Sequence, residues 1–98
     1  MTDPTTALTI EAQALLIPLA EPGANGRLQN PRAAIGVTEY ELITRTSADG
    51  YAVRRTTPAR ITEELLNAGC IATITDRFGF TYYVPTIAGA EARAAILY

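Results

Sequence analysis

The strongest constraint on this chain is a short helix bracketed by signals at both ends. Thr57-Pro58 reads as a cap followed by proline at the first helical position. There the missing N–H costs nothing, because first-turn amides have no acceptor within the helix. Gly69 closes the segment, since glycine adopts the left-handed conformation that ends helices. Between them Ile61, Leu65, Leu66 and Ala68 form an apolar stripe, with Arg60, Thr62, Glu63, Glu64 and Asn67 toward solvent. A hairpin is expected next: Cys70 to Thr75, a turn at Asp76-Arg77-Phe78-Gly79, then Phe80 to Val84. Cys70, Ala72 and Ile74 share one face of the first strand, and Phe80, Tyr82 and Val84 one face of the second. Pro85 ends the pairing. Ile87 to Leu97 makes a last, Ala-rich helix with Ile87, Ala90, Ala94 and Leu97 along one side.

The first half of the chain is less constrained. Residues 1–7 read as a flexible polar tail and 8–98 as a single domain. Leu8, Ala12, Leu15, Leu16 and Leu19 recur at helical spacing, with Thr9 as the N-cap. Pro18 should kink or end this helix, and Pro22-Gly23 ends it. Glu21 to Gly36 is a loop by composition, with room for a short strand at Arg27-Leu28-Gln29.

Residues 38–56 admit two readings. Thr38-Glu39-Tyr40-Glu41 fits a capping box, Val37 and Leu42 a hydrophobic staple, and Gly50 a helix terminus. These three end signals favour a helix. The rival is a hairpin, in which Tyr40, Leu42, Thr44 and Thr46 alternate, Ser47-Ala48-Asp49-Gly50 turns, and Tyr51-Ala52-Val53-Arg54 returns.

Composition narrows the functional classes. With 98 residues, 48% hydrophobic and 18% charged, the chain is globular and holds one core. No apolar run approaches the roughly 20 residues of a membrane-spanning helix, and the N-terminus lacks the pattern of a secretion signal. One cysteine, Cys70, cannot form an internal disulfide, which suits a reducing cytoplasm. There is no histidine, so the usual neutral-pH acid–base residue is missing. Cys70 lacks a partner base and reads as a core residue. No metal-ligand spacing and no phosphate-binding glycine pattern occurs. A non-enzymatic domain without cofactor or metal is expected. The net charge is −2, but it is unevenly spread. Up to Gly50 three Arg stand against six acids; from Tyr51 onward five Arg stand against four. Arg54, Arg55 and Arg60 lie in a stretch without a single acid.

With residues 38–56 read as a helix, the second half of the chain resembles the winged helix-turn-helix superfamily. The likeness rests on Val37-Thr38-Glu39-Tyr40-Glu41-Leu42, similar to the start of a positioning helix. Pro58 through Ile71 is similar to a recognition helix running through Ala68-Gly69 into a wing, and Gly79 through Thr86 resembles the returning wing strand. The resemblance covers residues 37–86 and implies a three-helix α+β domain with a C-terminal β-hairpin wing and a short final helix. It further implies duplex-DNA binding, as a transcriptional regulator or accessory protein, by a homodimer joined through its first and last helices. On that reading Arg60 reaches a base or a phosphate, Thr56 and Thr57 hold phosphate at the helix start, and Arg54 and Arg55 neutralise the backbone. Arg77 at the wing tip enters a minor groove or meets a phosphate. Two features depart from the family: the Asp49-to-Thr57 link exceeds the usual turn, and Glu63-Glu64 would repel phosphates. The alternative is a small protein-interaction module, built either on a winged fold without DNA binding or on an α-ββ-α-ββ-α order with a hairpin at 38–56. Such an adaptor or inhibitor, of the kind phages and mobile elements encode, would not bind DNA and would use Tyr40, Tyr51 and Tyr83 as anchors.

Overall fold

The computed structural model describes residues 8–29, 39–45 and 52–98, with 45 and 52–55 placed as backbone. Helix α1 spans Ile10–Leu19, followed by strands β1 (Arg27–Gln29), β2 (Glu39–Arg45) and β3 (Ala52–Pro58). Helix α2 (Ala59–Asn67), strands β4 (Ile71–Thr75) and β5 (Thr81–Pro85), and helix α3 (Ile87–Leu97) complete the order. The five strands form one sheet in the order β3-β2-β1-β5-β4, antiparallel at every pairing. The flexible tail expected at residues 1–7 lies outside the described residues.

This is the α-ββ-α-ββ-α alternative, not a winged helix-turn-helix. That fold needs two successive helices before the wing, whereas among the described residues only strands lie between α1 and α2. The segment read as a positioning helix is β2, and β3 runs into α2 with no intervening turn. Long-range pairing explains why the local end signals lost. Tyr40, Leu42 and Thr44 alternate toward the helices, and Leu42 and Thr44 are buried there. Thr38, the cap on the helical reading, lies outside the described residues. Thr57 is likewise no cap: it is a β3 residue opposite Tyr40, and the N-cap position of α2 falls on Pro58.

The register stacks Leu42, Leu28 and Tyr83 side by side across β2, β1 and β5. The three helices cover this face, and Leu8, Leu15, Leu16, Leu19, Ile61, Leu65, Cys70, Ile71 and Ala92 close the core over it. Each buried leucine or isoleucine contributes about 1.5–3 kcal/mol relative to exposure. Thr62, expected toward solvent, is buried with them, and its hydroxyl has no hydrogen-bond partner.

Pro18 does not end α1, because it lies in the last turn, one residue before the helix stops. The amide of Ala20 still bonds the Leu16 carbonyl at 2.9 Å, and Arg93 Nε donates to the Ile17 carbonyl at 2.8 Å. Thr9 caps the other end, accepting from the Ala12 amide at 3.2 Å. The cap is itself held from α2, whose Glu64 carboxylate accepts from the Thr9 amide at 2.8 Å and hydroxyl at 3.0 Å.

Helix α3 is rotated relative to the expected apolar stripe. Gly89, Ala92 and Ile96 face the core, whereas Ile87 is 82% exposed and Ala90 and Ala94 lie outside. Backbone contacts at the helix start fix this rotation. The Thr86 amide donates to the Cys70 carbonyl at 3.0 Å, and its hydroxyl donates to the Gly69 carbonyl at 2.6 Å. That hydroxyl also accepts from the Gly89 amide at 3.1 Å. Gly89 therefore lies against the Cys70 carbonyl, and a Cβ there would sit 2.1 Å from that oxygen. A Gly89→Ala variant gains about 1 kcal/mol of helix propensity but meets fixed backbone, at a cost of up to about 3 kcal/mol. Urea denaturation is expected to show a net loss of about 2 kcal/mol; equal or greater stability would contradict this packing.

Candidate interaction surface

The residues expected to bind DNA fall on separate elements. The sheet order puts β3 and β4 at opposite edges. The backbone of β3, which holds Arg54–Thr57, is therefore three strand spacings from β5 and four from β4, roughly 14–19 Å. Thr57 is buried and Thr56 exposed, while Arg54 and Arg55 pair through their backbones with Ile43 and Leu42. Arg60, expected to reach a base or pair within its own helix, forms an exposed ion pair with Glu11 of α1. It helps Glu64 hold the two helices together, although an exposed pair contributes at most about 1 kcal/mol. Arg77 is exposed at the hairpin tip. With β2 in place of the positioning helix and no successive helix pair among the described residues, the DNA-binding reading is overturned, and the regulator role falls with it. The homodimer loses its basis, since it followed from the winged fold.

Among the described residues no group of three or more His, Cys, Asp and Glu side chains is placed to hold a metal ion. Nor is any helix long and apolar enough to cross a membrane. Cys70 is fully buried in the core, and burial pushes its thiol up.

Of the three tyrosines named as anchors, two serve the core. Tyr40 and Tyr83 meet edge to face with ring centroids 5.3 Å apart and their hydroxyls at 3.5 Å. Both are half-buried against the helices, and Tyr51 lies outside the described residues.

Exposed large apolar side chains occur at Ile10, Ile87, Leu97 and Tyr98 on or beside the helices, and three more lie together on the β4–β5 hairpin. Phe78 is 72% and Phe80 61% exposed, and Ile74 lies on the face away from the helices, opposite Tyr82. Thr73, Thr75 and Thr81 are exposed on the other face, so the far half of the hairpin projects beyond the helical layer. Its tip is tightly built. The Asp76 carboxylate accepts from the amides of Phe78 at 2.9 Å and Phe80 at 3.0 Å. The Gly79 amide donates to the Asp76 carbonyl at 3.1 Å, and Gly79 takes φ +84°, where side chains are disfavoured. Arg77 lies over the Phe78 ring, 5.0 Å from its centroid. The sequence reading absorbed Phe78 into a turn and Phe80 into a strand face. An aromatic in a turn of otherwise polar residues and glycine is the signal that marks them.

No helix packs on the outer sheet face among the described residues. It carries Arg27, Gln29, Glu41 and Ile43 toward β2, and Ala72, Ile74, Tyr82 and Val84 toward β4. Arg27 sits 5.7 Å from the Tyr82 ring centroid. A recess of about 390 Å³ opens there, and its charged lining groups, Glu21 and Arg27, are both exposed.

Comparison with known protein families, characterised proteins and solved structures finds no match to this chain.

The tyrosine pair has a titration signature. Tyr40 is pushed up to about 12, first by its hydrogen bond with Tyr83 and then by burial. A folded pKa above the unfolded value near 10 contributes stability that is complete below pH 10 and lost as pH rises toward 12. Phenolate absorbance should therefore show one of the five tyrosines titrating late. Tyr40→Phe should remove that step, and Tyr83→Phe should bring it back toward 10; a late step unchanged in both variants would refute the pairing.

Proposed function

We propose that this domain is a non-catalytic protein-interaction module of the cytoplasm that presents the β4–β5 hairpin to its partner. The observation that carries this reading is the exposure of Phe78 and Phe80 on a rigid, projecting tip. Each phenylalanine left in water forgoes about 1.5–3 kcal/mol of burial that a partner's pocket would supply. Aromatic residues and arginine are the side chains enriched at protein interfaces, and Arg77 completes the set. The hydrogen bonds from Asp76 order the tip before binding, so little loop entropy is lost on contact. The absence of histidine and the burial of Cys70 support a role without catalysis. The single unpaired thiol suits a reducing compartment.

A photo-crosslinking residue at position 78, in protein expressed in its native cells, should yield discrete adducts by mass spectrometry. The same residue in place of exposed Glu21 should yield none of them. Phe78→Ser combined with Phe80→Ser is expected to weaken partner binding on the order of a hundredfold while leaving the Tm unchanged. Identical adducts from both positions, or binding indifferent to the double substitution, would refute the proposal.

A further inference from the structure

Strand β4 is the last strand of the sheet, and its five residues, Ile71-Ala72-Thr73-Ile74-Thr75, include no charge and no proline. The opposite edge differs: β3 contains Arg54 and Arg55 and ends on Pro58. Charge and proline are the usual means by which an edge is kept from pairing with another chain. One edge of this sheet carries both and the other carries neither.

The hairpin geometry fixes which backbone groups β4 offers. The Asp76 amide donates to the Phe80 carbonyl at 3.0 Å, which makes that pair a hydrogen-bonded one. Antiparallel pairs alternate, so Ile74 with Tyr82 and Ala72 with Val84 also exchange hydrogen bonds. Pro85, which has no N–H, falls opposite Ile71 at a position where none is needed, and the 3.3 Å contact of the Thr75 and Thr81 hydroxyls fits a close, unbonded pair. The amides and carbonyls of Ile71, Thr73 and Thr75 therefore point away from β5, and no described strand lies beyond them.

We propose that this edge accepts an extended segment of another protein as a sixth strand, with Phe78 and Phe80 gripping the end of that segment. The inference rests on the interaction-module reading and assigns its partner a chemistry. The added strand meets Ile74 and Phe80 on one face and the threonine hydroxyls on the other, so it alternates apolar residues with Ser or Thr. Arg77 is exposed at the tip while the Asp76 carboxylate is engaged by two amides, so the segment carries an acidic residue at the end beside Arg77. A second copy of this chain fits less well. Antiparallel pairing centred on Thr73 or Thr75 sets Arg77 opposite Gly69 or Thr73 of the other copy, and neither supplies a carboxylate.

The test is selection of random linear peptides displayed on phage against the immobilised full chain, followed by NMR amide exchange with the selected peptide. Enriched peptides should alternate as described, and the amides of Ile71, Thr73 and Thr75 should gain protection while those of Ala72 and Ile74 do not change. Thr73→Pro removes an outward donor without touching the β4–β5 ladder, and should weaken peptide binding on the order of tenfold with Tm retained. Should that variant unfold, N-methylation of the peptide at alternate positions reads the same bonds from the other side. Peptide protection confined elsewhere, or binding indifferent to both changes, overturns the proposal. Concentration-dependent protection of the three amides without peptide also overturns it, by giving the edge to a second copy. If crosslinks from position 78 persist while β4 gains no strand, this inference fails and the interaction-module reading stands. If both vanish, both fail.

Discussion

Leu28 occupies the middle of the middle strand and is shielded completely from solvent. It faces Leu42 on one side and Tyr83 on the other, and is the one residue described as paired with both neighbouring strands' core residues. Strand β1 is only three residues long, so few backbone hydrogen bonds tie it to its neighbours. Pairing through β1, with Leu28 as its buried side chain, joins the β2–β3 and β4–β5 pairs into one sheet. Neither hairpin would be stable in water alone, since an isolated two-stranded ribbon buries too little. The fold is two weak local units made strong by a shared central strand.

A second layer of constraint joins the helices. Glu64 holds the N-terminal cap of α1, Arg60 pairs with Glu11, and Arg93 holds the last turn of α1 from α3. Most charged groups of the helical layer are thus engaged in positioning helices. This is why Arg60, which looks like part of a nucleic-acid footprint in the chain, makes a different kind of contact in the fold. A guanidinium spent on a neighbouring helix is a structural group, whatever its place in the sequence.

The elements set by local chemistry were legible: the helix closed by Gly69, the α1 stripe, the short strand at Leu28, the hairpin turning at Asp76–Gly79, and the core place of Cys70. What was not legible depended on partners in other elements. The capping signals around Thr38 and Glu41 are properties of a few adjacent residues, whereas the strand at Glu39–Arg45 is decided by its pairing with β1 on one side and β3 on the other. Ile87, Ala90, Ala94 and Leu97 share one side of α3, and that side faces solvent. Which side turns inward is set by contacts of Thr86 and Gly89 with Gly69 and Cys70, and no periodicity within α3 encodes them. At the hairpin tip the local pattern accounts for Phe78 as a turn residue and Phe80 as a strand residue, and carries no information on what covers their rings.

The build of the hairpin tip also bears on how such a domain changes over generations. Its shape comes from Asp76 and Gly79, through a carboxylate and a backbone conformation, while Arg77, Phe78 and Phe80 belong to no part of the core. Drift at those three positions leaves the folding free energy almost untouched, because surface changes away from caps and networks rarely exceed about 0.5 kcal/mol. On the proposed role, the tip can be rewritten without a stability penalty, so descendants of this chain are free to keep the scaffold while changing what the tip presents.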